Sequence, residues 1–337
     1  MNKITIFSPN IYAGLHSYCS QKPQTLEQAI KDPLPSWNSG ENKSAIISFV
    51  ESVTDTASKD FVPEIERVAV FDNDGTLWSE QPLYFQLFFA LDRIRDMAEN
   101  HPEWQEQQPY QAILTNDMKT LSGFGMKELM EILMTSHAGM STDEFEKFVT
   151  DWISSARHPH FDRPYTDLIF QPMLELLTYL RSNGFKTFIV SGGGIEFMRP
   201  WVEDVYGIPR DQVVGSSIKT ELVMQGDNPV IIRKPSIDFI DDKEGKPVGI
   251  WRFIGRRPIL CAGNSDGDLA MQQWTAAGEG PSMMLYVHHT DSEREFAYDR
   301  DSHVGKFDEA LDVANNKGWK LISMKDDWKV IYPFELK

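Results

Sequence analysis

Two carboxylates one residue apart, at the end of an apolar run, are the chemically loaded feature of this chain: Val68-Ala69-Val70-Phe71-Asp72-Asn73-Asp74-Gly75-Thr76. On a strand, residues i and i+2 share a face, so Asp72 and Asp74 emerge together where the strand gives way to a loop. Carboxylates that close repel each other unless a cation joins them. A hard, oxygen-liganded Mg²⁺ suits carboxylate and phosphate oxygens together. The layout is that of an aspartate nucleophile with an acid partner. A surface Asp-x-Asp-Gly turn has the same composition, because turns use Asp and Gly freely, so the fragment alone does not decide.

Three later segments add to it. Thr187-Phe188-Ile189-Val190-Ser191-Gly192-Gly193-Gly194 reads as a second apolar strand, preceded by a helix over 172–182 and by Gly184. It ends in a hydroxyl on a glycine-rich turn, which can aim an Oγ and backbone N–H groups at a phosphate. Pro258-Ile259-Leu260-Cys261-Ala262-Gly263-Asn264-Ser265-Asp266-Gly267-Asp268 repeats the order of strand, polar oxygens and helix. Lys246 lies shortly before that third strand, and only its place in the order distinguishes it from other lysines.

In this order the four segments resemble the haloacid dehalogenase superfamily of aspartyl-phosphate hydrolases, most closely its phosphoserine-phosphatase-like branch, over roughly 67–268. Asp-x-Asp-Gly-Thr after a strand is the specific part; Ser-Gly-Gly is less so. Gly-Asn-Ser-x-x-Asp varies the final motif, with Asn264 where Asp is usual. The resemblance implies a Mg²⁺-dependent phosphatase acting on a small phosphorylated metabolite. Asp72 would be the nucleophile and Asp74 the acid and base. Ser191, the Gly192 and Gly193 turn and Lys246 would clamp phosphoryl oxygens, and Asp72, Asp74, Asn264 and Asp268 would hold the metal. Asn264 brings an oxygen but no charge, which leaves a weaker metal site or a larger share for Asp266 or Asp268. Dehalogenases of the family lack the second carboxylate, since a halide needs no proton, so Asp74 favours phosphoryl chemistry. For the substrate, Trp78, Glu80 and Gln81 are expected to face the cleft. The family's amine-binding Glu falls near here, but Glu80 is one place out of step and Gln81 holds the matching position. Arg199 would bind a substrate carboxylate or pair on the surface, the surface reading being favoured. His158, His160 and Arg163, where the chain re-enters the core, stay open. Two other readings remain: a catalytically weak phosphate-binding or interaction protein, which Asn264 allows, and a phosphotransferase.

A chain of 337 residues, 41% hydrophobic, can form a core and one insert. Its formal net charge of −17 argues against nucleic acid as partner, which needs a basic footprint. With Cys19 and Cys261 the only cysteines, a disulfide framework is not expected. The eight histidines show no zinc spacing, His158-x-His160 and His288-His289 included. No run is long enough to span a bilayer. The first twenty residues lack a basic start and a continuous apolar stretch, and His16-Ser17-Tyr18 is not the small-residue approach to a lipidated cysteine. The expected compartment is the cytoplasm, or outside it should a leader precede the chain. The oligomeric state is left open.

The elements that must position these residues follow from periodicity. The expected fold is α/β: a Rossmann-like, mainly parallel sheet flanked by helices, with an inserted helical cap. Residues 1–66, with a helix over 43–57, form an arm on the core. Residues 67–77 and 165–337 form the catalytic core, with further strands near 212–215, 257–263, 283–288 and 319–324. Residues 78–164 form the cap. Its stripes are Tyr84, Leu87, Phe88, Leu91 and Ile94, then Met126, Leu129, Met130 and Leu133, both read as insert core. Ser141-Thr142-Asp143-Glu144 is a capping box for a third helix. Hinges are expected over 78–82 and 159–164.

Overall fold

The structure, a computed structural model, describes residues 32–121 and 123–336. Cys19 and the reading of the first twenty residues lie outside the described residues, as does the part of the arm before residue 32.

Strand β1, Val68–Phe71, is buried on both faces, as its unbroken apolar run requires of a central parallel strand. It pairs in parallel with β2, Lys186–Gly194, on one side and with β5, Leu260–Gly263, on the other. Beyond β5 lie β6, Met283–His288, and β7, Lys320–Ser323, both parallel. Beyond β2 lie β3, Val213–Gln225, and β4, Asn228–Phe239, so the order is β4-β3-β2-β1-β5-β6-β7. The order reverses at β1. Loops leaving the carboxyl ends of β1, β2 and β5 therefore diverge and open a crevice, the place where such sheets bind ligands.

Seven longer helices accompany the sheet: α1 Glu41–Thr54, α2 Phe85–Met97, α3 Met126–His137, α4 Thr142–Ser155, α5 Gln171–Ser182, α6 Leu269–Ala276 and α7 Glu309–Lys317. Helix α1 buries Ile46, Val50 and Val53 in the main core, and Trp37 before it meets Trp328 edge-on and donates Nε1 to Pro172 O at 2.9 Å. Helices α2 to α4 belong to the insert between β1 and α5. The Ser141 capping box is formed: Oγ accepts the Glu144 N–H at 3.1 Å, and Glu144 Oε2 accepts the Ser141 N–H at 2.8 Å. Phe85, Phe89, Phe145 and Val149 of the insert share the main core with Phe170 and Leu176 of the sheet layer. A second cluster of Ala90, Leu91, Ile94, Trp104, Tyr110, Ile113 and Ile132 fills the insert itself.

Two expectations need correction. The strand near 212–215 is much longer, because Gly226, at positive φ, and Asp227 turn it back into β4 as an antiparallel hairpin. Glycine at the first central position is what a type II′ hairpin turn demands. Of the stripe Met126, Leu129, Met130, Leu133 only Leu133 packs on the insert core: α3 buries Ile132, Ser136 and His137, while Met126 is 71% exposed. The competing face won because Ile132 and His137 pack on α2 and α4, leaving the methionine face to line a cavity. The expected hinges are cross-tied. Trp78 stacks on Trp201 with centroids 4.4 Å apart, and His158 Nε2 donates to Gln81 O at 2.9 Å, joining the two crossings of the chain.

Candidate active site

Strand β1 delivers Asp72 to the crevice with its N–H bonded to Ala262 O of β5 at 3.0 Å. Asp72 is 7% exposed, and its Oδ1 lies 2.8 Å from Lys246 Nζ. That ammonium, 1% exposed, also meets Asp268 Oδ1 at 2.6 Å and donates to Val190 O at 3.1 Å. Three strands thus converge on one cation. Desolvation opposes the Lys246 charge, but Asp268 and Asp72 outweigh it and push the ammonium pKa up. The lysine is therefore fixed as a cation, held beside Asp72 by the short helix Gly245–Gly249.

Asp74 sits beyond the turn. Its Oδ1 accepts Trp78 Nε1–H at 2.8 Å, while Oδ2 points toward Gly193, where an added Cβ would lie 3.6 Å away. One oxygen is anchored by a buried indole and the other faces the cavity. Burial pushes this carboxyl up to about 6. Asp72 is pushed up to about 8 by burial, then by Asp268 and Asp74, against the pull of Lys246. Gly75, at φ +70°, closes the turn; a Cβ there would strike Asn264 and Glu80.

Strand β2 runs on through Gly194 instead of turning at Ser191, with its pairing to β3 broken between Ser191 and Gly194. Ser191 Oγ, buried, accepts the Gly193 N–H at 3.1 Å, and Gly194 N–H is taken by Gln86 Oε1 at 2.7 Å. Ser191, Gly192, Gly193, Asp72, Asp74, Glu80 and Lys246 line one cavity of about 380 Å³.

The loop after β5 sorts the remaining acids. Asp268 is fully buried with both oxygens engaged: Oδ1 by Lys246, Oδ2 by the Asn264 N–H at 2.9 Å and the Ser265 N–H at 3.1 Å. It is a brace for Lys246 and the loop, not an open ligand. Asp266 turns away; its Oδ1 accepts the Asp308 and Ala310 N–H groups, each at 2.9 Å. Asn264 keeps its carbonyl toward Thr76 Oγ1 at 3.2 Å and donates Nδ2 to Glu80 Oε1 at 2.6 Å.

Glu80 therefore reaches the site, but its Oε1 is committed to Asn264 and to Tyr298 O–H at 2.7 Å. Burial raises its carboxyl well above the ordinary range, and Asp74 and Asp72 add to the rise. Other expected contacts fall elsewhere. Gln81 Nε2 donates to Ser302 Oγ and Val304 O, at 3.1 and 3.0 Å, and Trp78 is fully buried against Trp201, so neither faces the cleft. Arg199 donates Nε to Arg210 O at 3.1 Å, away from the cavity, as the surface reading had it. His158 is structural: Nδ1 accepts the His160 and Phe161 N–H groups, which fixes its neutral tautomer. His160 packs on Phe161 and Phe296, and Arg163 covers Phe334. Sequence reasoning missed Tyr298, Gln86 and Asp241. Asp241 is fully buried near Lys246, and burial pushes it up to about 8. These residues come from loops and from the insert, where neither periodicity nor a motif marks them.

Among the described residues no three His, Cys, Asp or Glu side chains cluster as a metal cage. A Mg²⁺ does not need one: it is commonly held by one or two carboxylates with waters and substrate phosphate. One ammonium here faces the carboxyl groups of Asp72, Asp74, Asp241 and Asp268, and Glu80 adds a fifth carboxyl beside Asp72 and Asp74. Such an excess of buried acid is relieved by protonation or by a cation, so the donor set fits the metal.

Known proteins locate this arrangement. No curated protein matches the chain. Among solved structures, a conserved functionally unknown protein from Anaerococcus prevotii DSM 20548 is 16% identical with a TM-score of 0.52, covering 84% of this chain and 91% of that one. A protein with unknown function from Bordetella pertussis Tohama I is 14% identical with a TM-score of 0.50, covering 77% and 99%. At these identities the likeness is one of fold. The sequence pattern of the haloacid dehalogenase-like hydrolases matches residues 69–271, from β1 into α6 and across Asp72, Asp74, Ser191, Lys246 and Asn264, and the chain belongs to that family.

Proposed function

We propose that this hydrolase is a Mg²⁺-dependent phosphatase that cleaves a small phosphomonoester through an aspartyl phosphate on Asp72. The observation that carries the reading is Asp74: a second, half-buried carboxyl, its Oδ1 tied to Trp78 and its pKa raised to about 6, beside an Asp72 held by Lys246. A raised carboxyl can keep a proton for a leaving alkoxide near neutral pH. Carbon–halogen cleavage has no use for it.

Lys246 engages Asp72 Oδ1, which leaves Oδ2 to attack phosphorus. As the Oδ2–P bond forms, the P–O bond to the alcohol breaks, and Asp74 gives its proton to the departing oxygen. Asp74, now ionised, takes a proton from water, whose oxygen attacks the phosphoryl group and returns Asp72 as a carboxylate. Splitting the hydrolysis into two displacements lowers each barrier. Ser191 Oγ and the Gly192–Gly193 backbone would receive the phosphoryl oxygens. Asp72, the Asp74 main-chain carbonyl and the Asn264 side-chain oxygen would hold Mg²⁺, which supplies charge neutralisation of those oxygens. Asp268 would act through Lys246 and the loop amides. The insert would serve as the cap over the crevice.

Turnover of a panel of phosphate monoesters with Mg²⁺, and its loss in excess chelator, tests the reading. Hydrolysis unchanged by chelation, or restored by zinc alone, would overturn it.

A further inference from the structure

Away from the nucleophile the cavity changes character. One wall is the exposed face of α3, with Met126, Leu129, Met130 and Leu133, and the opposite wall is the β3–β4 hairpin, with Ile237 and Phe239. Apart from Asp242, an exposed carboxylate beside Gly192, most polar groups between these walls are spent on one another. Arg233, 2% exposed, donates Nε to His137 O at 2.7 Å, lies 3.2 Å from Glu196 Oε2 and covers the Phe145 ring. Gln86 bridges the Gly194 N–H and His137 Nε2, at 2.7 and 3.0 Å, and His137 Nδ1 meets Ser136 Oγ at 2.7 Å. With Arg233 paired to Glu196 little is left there to bind a substrate carboxylate, and an ammonium would find only Asp242, beside Gly192 at the phosphoryl end. The phosphoryl end is polar and the far end is hydrocarbon.

Resting on the phosphatase reading, we propose that the substrate is a phosphate monoester of an apolar alcohol, its hydrocarbon lying between the α3 face and the hairpin. The volume of about 380 Å³ is that of a small-molecule site. Thioether side chains on one wall adapt to chains of differing shape. The apolar end is continuous with Asp72 and Asp74, so a phosphate seated at Ser191 and Lys246 directs its alcohol into it. Burial of that hydrocarbon out of water is the source of selectivity. The alcohol leaves with the Asp74 proton, as in the general scheme.

A homologous series from ethyl to octyl phosphate, assayed with the Mg²⁺-loaded full chain, reads this directly. Complete burial of a methylene corresponds to about a fourfold gain, so kcat/KM is expected to rise about two- to fourfold per methylene until the space is filled. Met130→Gln and Ile237→Gln, both at partly exposed positions, should flatten the series. The slope is the readout, because a loss of folded protein scales every member alike. Titration of the same esters into Asp72→Asn separates the two readings. Affinity of Asp72→Asn that rises with chain length, without turnover of any ester by the unsubstituted chain, keeps the apolar site and sinks the phosphatase. Turnover with a flat series, or with phosphoserine preferred over octyl phosphate, keeps the phosphatase and overturns the apolar site. An unchanged slope in both glutamine variants overturns it as well.

Discussion

At the scale of single residues, the site depends on burying several carboxyl groups around one lysine. Asp72→Asn keeps the side-chain volume and removes the proposed attacking oxygen, so turnover should fall by roughly 10⁴- to 10⁶-fold, the range spanned by single losses from a catalytic unit; wild-type rates would place the nucleophile elsewhere. The same variant has a second expected outcome. In the metal-free protein Asp72 binds its proton up to about 8 against an unfolded value near 3.8. Between those values the folded state holds the extra proton, so stability falls as pH rises, by up to about 1.4 kcal/mol per pH unit for such a group. Asp72→Asn should remove that slope and be more stable than the parent at pH 8, with the difference gone near pH 4. Urea unfolding at the two pH values, in chelator, measures it. Trp78→Phe acts on Asp74. The indole N–H favours the ionised carboxylate and lowers its pKa, so its loss lets Asp74 keep its proton to higher pH. The alkaline limb of the kcat profile should move upward; a limb that stays in place would show that it reports another group.

At the scale of elements, the hairpin and the insert are joined more firmly than a sheet edge and a cap need be. Arg233 N–H donates to Met140 O at 2.9 Å and Arg233 O accepts the Gly139 N–H at 2.8 Å, while its guanidinium spans His137 O and Glu196. Arg233→Ala removes the partner of the half-buried Glu196 together with a bond to His137 O and should cost about 2 kcal/mol in unfolding free energy; a loss well under 1 kcal/mol would mean that the pair is decorative. This latch was not legible in the sequence. The strands of the parallel core were, because buried parallel strands read as continuous apolar runs with motifs at their carboxyl ends. Asp72, Asp74, Ser191 and Lys246 converge as their order in the chain led one to expect. The hairpin was missed because β3 and β4 stand largely in solvent and alternate weakly, with Gly226-Asp227 the one available sign. The α3 stripe was misread for a related reason. Periodicity identifies an apolar face but does not say whether protein or ligand covers it. Trp78 and Gln81 show that closeness to the nucleophile in sequence does not set side-chain direction.

At the scale of the whole molecule, the proposed activity requires a chain with a net charge of −17 to bring a phosphorylated substrate to an acidic site. Long-range attraction does not assist, so local features must: Lys246, the β2 amides, the metal and an apolar cavity that gains from leaving water. Access then turns on how α3 and the hairpin move. Both ends of the insert are pinned, by Trp78 on Trp201 and by His158 on Gln81, and Ser79 Oγ meets Tyr332 Oη at 2.8 Å. Bending at those crossings would break buried contacts. The α3 face and the hairpin tip, in contrast, carry exposed apolar residues such as Met126, Leu222 and Met224, and they open and close most cheaply as one latched unit. Beryllium fluoride with Mg²⁺, a mimic of phosphorylated Asp72, should therefore slow hydrogen exchange in 126–137 and 216–240 together and leave 78–82 nearly unchanged. Such closure would exclude water from the phosphoryl group until a bound alcohol has departed. If protection rises at 78–82 and 159–164 instead, the insert swings on its crossings. If α3 changes without the hairpin, Arg233 does not couple them.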